Sequence, residues 1–219
     1  MFSGKAVVPV LTRMYLGPII NNWRISVIPN KLYAKRLRVD YIDIYNTHGA
    51  NADKMNKAVK PRVAKWLMRA RDQGLIRHIC TSFHDTNEVL RAIIDTGIYE
   101  SITLQYNLMN RSLADGIAYA NSKNSGVVVM GPVGGGMLGA NSEVILKAFP
   151  EIRRMPELAL RFVLSNPGVN VVLSGMSTIQ HVEENIAVVN ANKVLDRKEL
   201  GIIEEQFARL KKAADLNCT

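Results

Sequence analysis

HICTSFHDTNEVLRAIIDTGIYESITLQYN, residues 78–107, is the stretch of sequence that decides the fold. Both of its ends are short apolar runs of the kind that form strands. Between them, Asp85 or Thr86 can cap a helix that continues through Asp95. Gly97 can end that helix. A strand, a helix and a second strand in this order predict a βαβ unit with parallel strands and a right-handed crossover.

The same alternation continues on both sides of this unit. Further apolar runs predict strands at 6–12, 41–47, 126–133 and 169–176. Apolar spacing predicts helices at 53–73, 155–164, 178–189 and 197–214. Strands that are nearly continuous in Val, Ile and Leu are typical of a parallel sheet covered on both faces. Six such strands fit either an open doubly wound sheet or most of a (β/α)8 barrel, and periodicity does not distinguish the two.

Composition narrows the classes of protein to consider. The 219 residues are 47% hydrophobic, which is enough for one substantial core, so we predict a single domain over residues 1–219. No window approaches the roughly 18 apolar residues of a membrane-spanning helix, and we expect no membrane association. The N-terminus lacks the order of a signal peptide, and two cysteines do not make a disulfide framework. These features predict a cytoplasmic, reduced protein.

The net charge of +9 lies mainly in the first 80 residues. A basic surface can bind nucleic acid. However, no recognition module and no basic segment interleaved with aromatic residues accompanies the charge. A solvated helix surface is therefore the favoured interpretation, and we do not predict nucleic-acid binding.

Five motifs, in order, resemble those of the aldo-keto reductases. They are DYIDIYNTHG (40–49), GLIRHICTSFHD (74–85), LQYNLMNR (104–111), VMGPVGGGML (129–138) and LSGMSTIQHVEENI (173–186). Their order and spacing match the family across residues 40–190. The resemblance implies an aldo-keto reductase (β/α)8 TIM barrel, which favours the barrel over the open sheet. We expect this barrel to be incomplete, with about six of eight strands, the first two missing and the chain beginning at the third.

Two segments resemble the subgroup that carries a ferredoxin-like iron–sulfur tail. They are SFHD and SGMSTIQHVEEN. In that subgroup a run of cysteines follows the last helix, and Cys218 could be the first of such a run. A cluster needs about four ligands, so we expect one only in a longer form that supplies further cysteines. We accordingly expect the chain to be truncated at both ends.

The resemblance also implies residues for catalysis. His48 matches the family histidine that hydrogen-bonds the substrate carbonyl oxygen, where an imidazole N–H stabilises a developing alkoxide. The family's catalytic tyrosine and its aspartate are not found upstream of residue 40. The family lysine follows the third strand, where Arg13 stands in this sequence. Asp43, on the same strand as His48, is interpreted as structural.

The remaining matches belong to a dinucleotide site. Ser82 and Gln105 match the residues that bind the nicotinamide carboxamide, and Met130 takes the place of the aromatic residue that stacks on the ring. The turn and backbone N–H groups beside the pyrophosphate are assigned to Gly131, Pro132, Val133, Gly134 and Gly135. The adenosine end is assigned to Gly175, Ser177, His181, Glu184 and Asn185.

The predicted function follows from these matches. It is an NAD(P)H-dependent oxidoreductase that reduces small aldehydes or ketones to alcohols by hydride transfer. The choice between NADP(H) and NAD(H) stays open, because Gly175 and His181 carry no permanent charge. The alternative is a catalytically inactive barrel remnant that binds a nucleotide or a protein. Because missing strands leave a sheet edge open, we expect self-association or aggregation through that edge.

Overall fold

The structure is a computed structural model that describes residues 6–9, 38–50 and 60–216. The strands in these residues are β1 (Ala6–Pro9), β2 (Ile42–Ala50), β3 (Ile76–Phe83), β4 (Ser101–Gln105), β5 (Gly126–Met130) and β6 (Val171–Ser174). The helices are α1 (Lys60–Asp72), α2 (Asn87–Ile94), α3 (Ala114–Ser122), α4 (Glu143–Leu146), α5 (Met155–Ser165), α6 (Ile179–Asn190) and α7 (Arg197–Leu216). All six predicted strands and all predicted helices are present.

The elements belong to two compact units. Unit A comprises Leu11–Leu104 and Ser112–Val128. Unit B comprises Met1–Val10, Gln105–Arg111 and Val129–Thr219. Each unit is described by itself below.

Unit A contains a parallel sheet with one face covered by α1. The strands β2, β3 and β4 are adjacent and parallel, and β5 follows β4 in the strand order. The apolar core on this face consists of Ile42, Leu67, Ala70, Ile76 and Ile79. The predicted βαβ unit of residues 78–107 is thus confirmed in β3, α2 and β4.

Only some of the apolar side chains of helix α1 are buried in the core. Leu67 and Ala70 are buried. The apolar spacing that predicts this helix places Trp66 on one stripe with Leu67 and Ala70, but Trp66 is exposed, and the Arg69 guanidinium lies 5.7 Å from its ring centroid. The stripe is therefore narrower than predicted.

Helix α3 was not predicted, because its sequence ADGIAYANS has no strong apolar stripe. Its packing depends on Gly116. A Cβ at this position would lie 2.4 Å from Leu90 Cδ2 and 2.6 Å from Asn87 Oδ1. The missing side chain lets α3 approach α2 closely.

Cys80 lies inside the sheet of unit A. The Ser101 hydroxyl donates a hydrogen bond to Cys80 Sγ over 2.8 Å. Burial raises the pKa of the Cys80 thiol, and this effect outweighs the hydrogen bonds with Ser101 that lower it. Alkylation requires the thiolate. In the folded chain little of the Cys80 thiol is in this form, and the sulfur is buried.

We expect iodoacetamide to modify Cys80 in the native chain more than about a hundredfold more slowly than in the unfolded chain, because modification needs transient opening. Mass spectrometry of the Cys80 peptide, with and without urea, measures the two rates. Equal rates would show that the β3–β4 pairing does not bury this thiol.

Unit B joins the first strand of the chain to the last. β1 pairs in parallel with β6, with Ala6 opposite Val171 and Pro9 opposite Ser174. We predicted this segment as the third strand of an incomplete barrel, and the pairing gives it β6 as a neighbour. Arg13, assigned to the end of that third strand, lies outside the described residues.

Helices α5, α6 and α7 of unit B agree closely with prediction, whereas α4 was not predicted. α5 begins at Met155 with a proline in its first turn, a position where proline needs no hydrogen-bond partner for its nitrogen. The rings of Tyr106 and Phe162 stack with centroids 5.4 Å apart. Among the described residues, no helix is both long and apolar enough to cross a membrane.

Candidate functional site

A β-bulge at the end of β2 controls the backbone at His48. Thr47 is opposite Thr81 and Ala50 is opposite Phe83, so β2 has one residue more than β3 over this interval. Gly49 adopts a φ of 63°, which glycine tolerates best. His48 is exposed at this bulge. Because bulges redirect side chains at strand ends, the bulge sets the direction of the predicted catalytic histidine.

Ser82 holds the bulge together. Its Oγ accepts the N–H of Gly49 over 2.7 Å and donates to the Thr47 carbonyl over 3.4 Å. A hydroxyl has one donor and two acceptor sites, so one acceptor site is left for a ligand N–H. Phe83 is fully buried. The assignment of Ser82 to a carboxamide stays a prediction, and Ser82 additionally supports the backbone beside His48.

We expect Gly49→Ala to lower the free energy of unfolding by about 1–2 kcal/mol, since a Cβ is unfavourable in the left-handed region. Thermal unfolding measures the change. Gly201→Ala is the matched control: Gly201 is in α7 with open space around it, and alanine there should be neutral or stabilising. An unchanged Tm for Gly49→Ala would contradict the bulge geometry.

Asp43 lies on the exposed part of β2 and pairs with Arg77. The Arg77 Nη1–Asp43 Oδ1 distance is 2.9 Å, and both side chains are more than half exposed. The guanidinium also lies 3.8 Å from the centroid of the Tyr41 ring. Asp43 thus has Arg77 as its partner, in keeping with a structural role, although β2 is not buried at this point.

In unit B, the segment after β4 is tied to the turn after β5. Asn107 is 1% exposed, and its Nδ2 donates to the Gly131 carbonyl over 2.9 Å. Gly131 has a φ of 64°, and a Cβ there would lie 3.8 Å from the Gln105 amide nitrogen. The structure therefore brings Gln105 and Gly131, both predicted site residues, together. Asn107, which makes this hydrogen bond, was not predicted as a site residue.

The triple glycine forms a tight turn. Val133 has φ −101° and ψ 22°, and Gly134, Gly135 and Gly136 all have positive φ, which glycine adopts most readily. The N–H of Gly134 donates to the Gly131 carbonyl over 2.9 Å and that of Gly136 to the Val133 carbonyl over 3.1 Å, so these two N–H groups stabilise the turn itself. Met130 is half-buried and Pro132 is buried just before this turn.

Thr178 caps the start of α6, the helix predicted at 178–189. Thr178 Oγ1 accepts the N–H of His181 over 3.2 Å, and the N–H of Ser177 donates to His181 Nδ1 over 3.3 Å. Gly175 has open space where a Cβ would project. Asn185 is buried, and its amide donates to Ser174 Oγ over 3.0 Å. Asn185 therefore connects α6 to the end of β6. Its assignment to the adenosine end of the site stays a prediction.

Glu184 has a partner that was not predicted. Arg154 Nη1 forms an ion pair with Glu184 Oε1, and Gln180 Nε2 donates to the same oxygen over 2.8 Å. Arg154 comes from the segment just before α5, thirty residues earlier in the chain. No local sequence pattern links the two positions. Cys218, the predicted first residue of a cluster-binding tail, lies outside the described residues.

Comparison with known proteins identifies the family. The model of the Aldo/keto reductase family matches residues 31–154 and 151–207. The chain belongs to this family. The match covers all five motifs and extends beyond them into α7.

Individual known proteins align with most of this chain. The Bacillus subtilis protein named uncharacterized oxidoreductase YqkF is 26% identical in an alignment 203 positions long, which covers 78% of this chain and 64% of the relative. L-galactose dehydrogenase of Arabidopsis thaliana is 23% identical in an alignment 197 positions long, which covers 80% of this chain and 60% of the relative. The chain thus spans less than two thirds of these relatives.

Solved structures show the same fold. The holo form of aldo-keto reductase AKR11C1 from Bacillus halodurans superposes with a TM-score of 0.70 at 26% identity, covering 82% of this chain and 63% of that one. An aldo-keto reductase from Klebsiella pneumoniae in complex with NADPH gives a TM-score of 0.64 at 22% identity, covering 81% and 62%. The α/β fold of an incomplete aldo-keto reductase barrel is confirmed.

Proposed function

We propose that the chain binds a nicotinamide dinucleotide and reduces small aldehydes or ketones to alcohols. The observation that carries the proposal is the Gln105–Asn107–Gly131 arrangement in unit B. It holds the Gln105 side-chain amide beside a turn in which Gly131 has a φ of 64°, a conformation that favours glycine. A structural relative in complex with NADPH supports the same class of cofactor.

The residues of unit B fit such a cofactor by their chemistry. Gln105 offers an amide donor and acceptor to a carboxamide. A Cβ at Gly135, Gly136 or Gly175 would meet nothing within 4 Å, so a ligand can approach the backbone at all three positions. The α6 N-terminus adds the positive end of a helix dipole.

The bound nicotinamide would supply the hydride. On the protein side, an N–H of His48 would donate a hydrogen bond to the carbonyl oxygen and stabilise the negative charge that develops there. The Gly49 bulge and Ser82 would hold the backbone that carries His48. Met130 would pack against the ring face, where a flexible thioether is adaptable but less specific than an aromatic ring.

Fluorescence titration of the full chain with NADPH and NADH tests the binding step. We expect saturable binding of at least one of them, weakened by Gln105→Leu and unaffected by Gln206→Leu on α7. An NADPH oxidation assay with a small aldehyde tests the reaction, and His48→Ala should lower kcat with little change in cofactor affinity. Failure to bind either dinucleotide would exclude the proposed function.

A second candidate, a module that binds protein through an open sheet edge, has one observation in its favour. Among the strands that the structure describes, β2 is the last in the order of unit A, and Ile44 on this strand is 55% exposed. An apolar residue on an edge strand favours pairing with another chain. Analytical ultracentrifugation tests this: Ile44→Lys should shift the chain toward monomer, and a monomeric wild type would exclude self-association through this edge.

A further inference from the structure

Helix α1 exposes a strip of basic and apolar side chains, which we call the α1 surface. It consists of Lys65, Trp66, Met68 and Arg69, all of which are exposed. Lys65 and Arg69 are four residues apart, so they lie on the same side of the helix. Trp66 and Met68 flank this pair, one on each side, because successive residues turn by about 100° around the helix axis. The opposite side of α1 packs into the core of unit A.

The two cations of the α1 surface have no acidic partner among the residues that the structure describes. The neighbouring Arg71 pairs with Glu100, whereas Lys65 and Arg69 form no ion pair there. One acid, Asp72, lies on this side of α1, at the last residue of the helix. Like charges four residues apart destabilise a helix slightly, so the pair is unfavourable for α1 by itself.

The charges of α1 also oppose the dipole of the helix. Its first turn contains Lys60 and Arg62 and no acidic residue, although the N-terminal end of a helix favours negative charge. Residues 54–71 include seven Lys or Arg and no Asp or Glu. Residues that break local preferences without compensation inside the fold are expected at functional positions. The charge of α1 therefore fits an anion outside the chain.

The apolar members of the α1 surface favour a lipid bilayer as the source of that negative charge. Trp66 is 37% exposed and Met68 is 44% exposed. A bilayer accommodates tryptophan at the level of the headgroups and apolar side chains at the acyl boundary, while its anionic phosphates attract Lys and Arg. A nucleic acid offers phosphates but no apolar phase for Met68. Its bases would also compete with Arg69, whose guanidinium lies 5.7 Å from the Trp66 ring centroid.

We propose that the α1 surface is a docking site for membranes that contain anionic phospholipids. Lys65 and Arg69 contact the headgroup phosphates, and Trp66 and Met68 enter the boundary between headgroups and acyl chains. A helix that lies on a bilayer needs no membrane-spanning segment. The expectation of no membrane association, which rested on the lack of such a segment, thus does not apply to this surface. The surface belongs to unit A and is independent of the proposed cofactor site.

Sedimentation of the full chain with lipid vesicles measures this binding. The vesicles contain either phosphatidylcholine alone or phosphatidylcholine with about 30% phosphatidylglycerol, an anionic lipid. We expect at least about tenfold stronger binding to the anionic vesicles, and this binding should weaken as ionic strength rises. The double substitution Lys65→Gln and Arg69→Gln should lower the partition coefficient about 25-fold, since each basic residue at the surface contributes about fivefold.

The double substitution Lys193→Gln and Lys198→Gln is the matched control. Both lysines are exposed, and their loss changes the net charge by the same amount. Because they lie outside the α1 surface, this variant should bind within about twofold of the wild type. In a Trp23→Phe chain, Trp66 is the one tryptophan left. Its fluorescence emission should shift to shorter wavelength with anionic vesicles and stay unchanged with neutral ones.

Three results would overturn the docking site. Equal binding to both kinds of vesicle, or to neither, would show that anionic lipid is not the ligand. An equal loss of binding in the two double variants would show that net charge alone attracts the chain. Salt-sensitive binding to a single-stranded oligonucleotide without binding to anionic vesicles would assign the α1 surface to nucleic acid instead.

Discussion

Asn107→Ala is expected to lower the free energy of unfolding by about 3 kcal/mol. Asn107 Oδ1 accepts the N–H groups of Met109 and Asn110 over 3.0 and 2.9 Å, and Nδ2 donates to the Gly131 carbonyl. Each buried group left without a partner costs about 1–3 kcal/mol. Met109 and Asn110 are exposed, so their N–H groups can turn toward water after the substitution. The expected loss of stability is therefore about 3 kcal/mol, less than the sum over three unpaired groups.

The same substitution should weaken dinucleotide binding, because it releases the turn at Gly131 from the segment that carries Gln105. Urea unfolding measures stability, and a lower midpoint at constant m identifies a true loss. Asn121→Ala, at an exposed position near the end of α3, is the control and should change stability by less than about 0.5 kcal/mol. A loss below about 1 kcal/mol for Asn107→Ala would show that this amide does not join the two segments.

The elements that were predicted from sequence are those whose signals are local. Thr178 caps α6 because its hydroxyl reaches an N–H three residues on, and this depends only on residue type and spacing. Strands β3 and β4 are short runs that combine apolar and β-branched residues, so they are recognisable without knowledge of their neighbours. α3 escaped prediction because Gly116, unfavourable in a helix by itself, is required by the contact with Leu90.

The features that escaped prediction depend on residues far apart in the chain. The partner of β1 is β6, more than 160 residues later, and no periodicity encodes which strand lies beside which. Ser82 supports Gly49 from 33 residues away. The motifs assigned His48, Glu184 and Gly131 to the predicted site. The residues that orient them, however, belong to other segments and become visible only in the folded chain.

Arg111→Met is expected to lower the free energy of unfolding by about 2 kcal/mol and to loosen α7. Arg111 Nε donates to the Leu108 carbonyl over 2.9 Å, and Nη1 pairs with Glu204 on α7. The guanidinium also lies 5.1 Å from the Phe207 ring centroid and 5.5 Å from that of Phe162. The Arg111 side chain is only 20% exposed, so these interactions are less screened than those of a surface pair.

Methionine keeps the apolar stem and removes the charge, so the loss reports the hydrogen bond, the ion pair and the cation–π contacts together. Arg209→Met on the same helix is the matched control. Arg209 pairs with Glu205 over 2.5 Å, but both side chains are mostly exposed, and such a pair contributes less than about 0.5 kcal/mol. Hydrogen exchange should show faster opening of α7 in Arg111→Met alone, because Arg111 connects this helix to the segment after β4. Equal protection of α7 in the two variants would mean that apolar packing by Phe207 and its neighbours holds the helix without Arg111.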